Sequence, residues 1–151
     1  MDRSKGMLMA GLILLFSSCS KPTESNEKTE VSERELKALY DEVIDIHDEV
    51  MPKMDDIMKA KGTLQEKLDT LVEIDPENKA IPELKEVITD LAEADEAMMD
   101  WMRNFKPKDE GENHQLVLKY YEDEKVKISE VKDQMLSAID NANRMIKSGP
   151  D

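Results

Sequence analysis

From Ser32 onward the chain repeats apolar positions at alternating steps of four and three. Leu36, Tyr40, Val43, His47, Val50, Met54, Ile57, Lys61, Leu64, Leu68 and Leu71 follow that alternation without a slip. Side chains so spaced share one face of a helix. The register crosses both Pro52 and Gly62, and a reversal of the chain would reset its phase. The pattern therefore predicts one long helix, about 31–74, kinked near Pro52. Ser32-Glu33-Arg34-Glu35 has the form of a capping box and is expected to open it. Asp75-Pro76-Glu77-Asn78 should stop it, and Ile81-Pro82 restarts the chain with proline in a first helical turn. A second helix, about 81–105, carries Ile81, Leu84, Ile88, Leu91, Asp95, Met98, Met102 and Phe105 on its seam and ends at Lys106-Pro107. A polar connection, 108–113, leads to a third helix, about 114–147. Its seam holds Val117, Tyr121, Ile128, Val131, Met135, Ala138, Ala142 and Met145, and residues 148–151 form a frayed tail.

These elements predict an all-α fold, an up-down-up three-helix bundle with coiled-coil-like packing over residues 31–147. The second helix is shorter than the first, so the part before Val50 needs cover. Either the connection climbs far enough to lay the third helix along it, or a second subunit covers it. Composition agrees with long amphipathic helices, since 37% of residues are charged and 4% aromatic. The net charge of -14 repels nucleic acid and anionic lipid headgroups, so no nucleic-acid partner is expected.

The amino terminus adds an address. Arg3 and Lys5 precede an apolar run, Met7 to Phe16, followed by Ser17-Ser18-Cys19. The run is too short to span a bilayer, which needs about 20 apolar residues, and reads as a signal peptide, residues 1–18. A cysteine directly after two small residues resembles the lipobox of bacterial lipoproteins. That resemblance implies cleavage before Cys19 and lipidation of its thiol. Residues 19–30 would then tether the domain to the lipid. Ser20 is not the aspartate that holds some lipoproteins at the inner membrane, and Lys21 to Ser25 lacks the paired acids of a surface-export signal. The resemblance thus implies an outer-membrane lipoprotein facing the periplasm.

Two blocks carry the candidate chemistry. His47, Met51, Met54 and Met58 fall on one helical face, and Met98-Met99-Asp100-Trp101-Met102 repeats the theme. A hairpin turning near residue 78 places Met54 opposite Trp101 and Met102, and Ile57 and Met58 opposite Met98. One reading is that methionine fills an irregular gap beside the Pro52 kink. The other is a Cu(I) site of thioethers from Met51, Met54, Met58, Met98 and Met102, with an imidazole from His47 or His114 and the Trp101 indole as a cap. The same pairing sets Lys61 against Asp95, either as a structural ion pair fixing register, which Glu124 on the third helix could join, or with both side chains snorkelling outward from a thin core. No nucleophile and base at catalytic spacing are evident, so no enzymatic activity and no obligate cofactor are expected.

His47-Asp-Glu-Val-Met-Pro-Lys-Met54 and Ala97-Met-Met-Asp-Trp-Met102 resemble signature blocks of small helical lipoproteins of Bacteroidota, often labelled "viral A-type inclusion protein". The resemblance covers nearly the whole chain. It implies location and fold, with no catalytic residues to carry over. The expectation is a non-enzymatic envelope lipoprotein acting as a structural or protein-interaction module, with a lipid anchor and a homodimer or another envelope protein as partner.

Overall fold

The heptad register passes Pro52 through a change of helix type. In the computed structural model, which describes residues 24–108 and 111–148, α1 (Glu24–Val50) runs into a 3-10 turn (Met51–Lys53) and then α2 (Met54–Ile74). Proline has no N–H to donate and its ring crowds the preceding turn. The tighter turn places Pro52 at its start and lets the Met54 N–H reach the Met51 carbonyl, from which α2 begins. The kink expected at Pro52 is therefore one 3-10 turn.

The first helix starts earlier than expected. It opens at Glu24, within the segment assigned to a tether, so that residues 24–30 are helical. Glu24 to Glu30 contains no glycine or proline to stop a helix once the following heptads hold it. Ser32 consequently lies inside α1 and not at its cap. Cys19, the signal segment and residues 149–151 lie outside the described residues.

After α2 the chain turns on Asn78, whose side chain donates to Asp75 (3.1 Å) and accepts the Ala80 N–H (2.9 Å). Then α3 (Ile81–Asn104) returns along α2, with Pro82 in its first turn. The connection bends at Gly111, where φ is 100°, a conformation that favours glycine. Asn113 caps α4 (His114–Lys147), its side chain accepting the Leu116 N–H at 3.3 Å.

Counting α1 and α2 as one bent helix, three helices pack in an up-down-up bundle. α4 packs on α1, α2 and α3, and α3 packs on α2. The α1–α4 pair is parallel in a constant register. Ser32 meets His114, Glu42 meets Lys125 and Glu49 meets Lys132 at 2.6 Å, with offsets of 82, 83 and 83 residues. The two ion pairs stand one heptad apart. Of the two arrangements expected for the first half of α1, the climbing connection is the one found, since α4 begins level with Ser32.

Burial follows the same repeat. Val43, Val50, Ile57 and Leu64 on α1–α2, Leu84, Leu91 and Met98 on α3, and Ile128, Met135 and Ala142 on α4 are each seven residues apart, and none is more than 1% exposed. Removing each larger side chain from water contributes about 1.5–3 kcal/mol. On α3 a second stripe, Val87, Ala94 and Trp101, is also buried. It was not on the expected seam, because a helix with two neighbours buries a wider face than one heptad edge.

Gly62 sits in mid-α2, where an added Cβ would meet nothing within 4 Å. Gly62→Ala should therefore stabilise the fold by about 1 kcal/mol. Leu91→Ala should destabilise it by about 2–5 kcal/mol. Urea unfolding midpoints would check both.

Candidate functional site

Aromatic residues are scarce, yet every one among the described residues gathers at one level. The Trp101 ring stacks on Phe105 at 4.8 Å and meets His47 at 5.5 Å. Phe105 lies 6.3 Å from both Tyr40 and Tyr120, and Tyr121 contacts Tyr40 edge-on at 5.7 Å and Tyr120 at 5.4 Å. The position has a cause. α3 stops at Asn104, beyond which α1 and α4 continue with only the connection beside them, and large flat side chains close the end of the core.

The tyrosine hydroxyls also hold that connection. The Lys106 N–H donates to Tyr120 Oη and the Lys108 N–H to Tyr121 Oη, each at 2.9 Å. Lys108 Nζ lies 4.7 Å from the Tyr120 ring centroid. Two backbone donors that leave the helix thus find acceptors on the neighbouring element.

Only part of the predicted methionine constellation converges. Met98 is fully buried, and Met51, Met54 and Met102 are half-buried against the same core. Met58 instead points to solvent, 67% exposed, because it lies one residue past the buried Ile57 on the outer side of α2. His47 faces Trp101, and its Nδ1 lies 2.8 Å from Asp48 Oδ1. His114 is not at this level. Its Nδ1 lies 2.7 Å from Ser32 Oγ and its Nε2 3.6 Å from Glu35 Oε2, about 22 Å along α1 from His47 at the helical rise per residue. Among the described residues, no group of three or more His, Cys, Asp or Glu side chains is placed to hold a metal ion.

The expected ion pair is not formed. Lys61 and Asp95 line one shallow groove beside Gly62, but no contact within 4.0 Å joins them among the described residues. Both are half-buried, so each keeps water and gains little from closing the gap. Glu124 cannot join them either. By the α1–α4 offset it stands level with Asp41, about 30 Å from Lys61.

Glu124 has a different setting. It is the one buried charged residue among those described, 4% exposed, on the α4 face that carries Tyr121 and Ile128. Its Oε1 accepts from Lys127 Nζ at 2.7 Å, and that hydrogen bond holds the Lys127 ammonium above its ordinary pKa. Beside it, between α3 and α4, lies an open cleft of about 430 Å³ lined by Trp101, Asn104, Glu124, Lys127, Glu130 and Gln134, among others. Trp101 Nε1 is buried and has no hydrogen-bond partner among the described residues.

No family model, curated protein or solved structure matches this chain. Function must therefore be read from the geometry. Two features emerge from it: the ring cluster with its half-buried methionines, and the cleft between α3 and α4 whose lining includes the buried Glu124. The cleft was missed in the sequence, although a glutamate at a seam position, three after Tyr121 and four before Ile128, was a visible signal.

Tyr121→Phe removes the acceptor for the Lys108 N–H and should cost about 1 kcal/mol, with faster amide exchange at Lys108. Lys127 titrates above its ordinary 10.5 in the fold, so its contact with Glu124 is fully present below the unfolded value and is lost as pH rises through the folded one. Stability should fall above about pH 10.5 by less in Lys127→Arg, which keeps its charge, than in the parent chain. Thermal melts along an alkaline pH series would measure this.

Proposed function

We propose that the chain is a lipid-anchored, non-enzymatic protein of the bacterial envelope whose bundle serves as a structural or protein-interaction module. The observation that carries this reading is the uninterrupted heptad core flanked by the Glu42–Lys125 and Glu49–Lys132 pairs. It builds a rod about 50 Å long, by the rise of a 34-residue α4. The Leu14-Leu15-Phe16-Ser17-Ser18-Cys19 stretch supports anchoring through Cys19, with the rod facing the periplasm from the outer membrane. Among the described residues no helix is long and apolar enough to cross a membrane. The partner is a second copy of the chain or another envelope protein, engaged through the solvent face of residues 33–46.

A second reading, Cu(I) binding, draws on the contact between His47 and Trp101 and on Met51, Met54, Met98 and Met102 sharing one core. Soft thioethers with one imidazole suit that ion.

Labelling with an alkynyl palmitate should mark the parent chain and not Cys19→Ser, and only the parent should partition into the detergent phase. An unlabelled parent chain would refute anchoring. Charge reversals on residues 33–46 should abolish cross-linking in intact cells. In an anaerobic Cu(I) titration, quenching of Trp101 fluorescence that weakens in Met54→Leu and Met102→Leu supports the second reading, and an unchanged emission removes it.

A further inference from the structure

We infer that Ser32 is an acylation site: a serine activated by His114 that takes one acyl group from a neutral carboxylic ester, whose apolar chain lies in the groove between α1, α4 and the connection. The step modifies the chain itself, so it adds to the structural reading and depends on neither the anchor nor a partner.

The pair is assembled by the parallel packing of α1 and α4, which brings together residues 82 apart in sequence. Ser32 Oγ and His114 Nδ1 lie 2.7 Å apart, and His114 Nε2 lies 3.6 Å from Oε2 of Glu35, one turn along α1. A proton on Nε2, facing the carboxylate, leaves Nδ1 bare to accept from the hydroxyl. A nucleophile, a general base and a residue that positions the base stand in that order. The carboxylate contact is longer than a hydrogen bond, as such contacts commonly are before a substrate is bound. Ser32 is half-buried and the His114 side chain 29% exposed, so an incoming ester can reach both.

The groove beside the pair gives the class of donor. Its volume is about 700 Å³, within the range of small-molecule sites. Leu36, Tyr40, Val117 and Tyr121 line it together with Ser32 and His114. The rim sets Glu33 and Glu112 against Lys37 and Lys108, so opposite charges balance and no ion is selected. An uncharged ester with an apolar chain suits this lining. A phosphoryl donor would bring its charges against Leu36 and Val117 without compensation.

The step conserves atoms and electrons. Ser32 Oγ adds to the carbonyl carbon of the ester while its proton passes to His114 Nδ1. The tetrahedral adduct then expels the alcohol, which leaves with that proton. One C–O bond forms, one breaks, and nothing is oxidised or reduced. His114 opens α4, and its own N–H and that of Gln115 precede the first bonds of the helix, from the Leu116 and Val117 N–H groups to the Asn113 carbonyl. Donors at a helix start favour the negative oxygen of such an adduct. Once transferred, the acyl chain covers the apolar lining and shields its ester from water.

Incubation of the full chain in detergent with para-nitrophenyl butyrate should release one nitrophenolate per chain in a burst and leave one butyryl group on the peptide carrying Ser32, read by mass spectrometry. The corresponding acetate ester should react several-fold more slowly, having less chain to bury. Ser32→Ala should abolish the burst while its circular dichroism and melting temperature stay close to the parent's. His114→Gln should slow acylation about 100-fold or more, as expected for loss of a general base. Glu35→Gln should slow it less, and Glu35→Asp, which keeps the charge, should recover most of the rate. Butyryl on Lys37 or Lys108 in place of Ser32 would overturn the assignment. So would an equal rate in His114→Gln, or nitrophenolate release no greater than that of Ser32→Ala.

Discussion

The structure depends on keeping a seven-residue spacing of buried side chains in phase across a proline. Val43, Val50, Ile57 and Leu64 belong to two helices separated by a 3-10 turn, yet they remain one row. Were the phase lost at Pro52, either α1 or α2 would turn its apolar face away from α4. The tight turn absorbs the missing hydrogen bond and the ring's bulk within three residues. The ion pairs on the α1–α4 flank then need only fix the longitudinal register that the core leaves loosely defined. Exposed pairs are well suited to that, since they select an alignment while adding little to stability.

Most of the fold was legible because its information is local. Heptad alternation placed α3 and α4 to within a residue at either end, and it carried α1 into α2 without a reversal. The start of α1 was misplaced because the sequence of Ser32 to Glu35 offers a good cap, while nothing upstream forbids helix. A favourable cap marks where a helix would end well, and it does not oblige one to end there. The second buried stripe of α3 was missed for a different reason. Heptad reading assumes one facing partner, whereas α3 packs on both α2 and α4.

The candidate sites were legible in proportion to how far they depend on level alone. Methionines from α2 and α3 could be brought to similar heights by counting residues, but whether each points inward depends on helix rotation. Met58 fell on the wrong side of that angle. Glu124 was assigned to the wrong level because the height of α4 depends on how far an irregular connection climbs, which no periodicity encodes. The two adjacent tyrosines that pin this connection lie on α4, and their hydroxyls bond backbone groups 14 and 13 residues earlier, beyond the reach of a helical repeat. Such pairings become visible only once the helices are assembled.

The parallel alignment of α1 and α4 has a mechanical consequence. The chain enters the bundle at the end where Ser32 meets His114 and leaves it past Lys147, at the opposite end beside the turn between α2 and α3. A pull applied between the two termini therefore slides α1 along α4, and does not peel one from the other. Every layer of side chains between them is loaded at once, together with both Glu–Lys clasps. Peeling would break the same contacts in succession under a smaller force. The helix order thus gives a slender rod its greatest resistance along the direction in which a tethered molecule would be drawn.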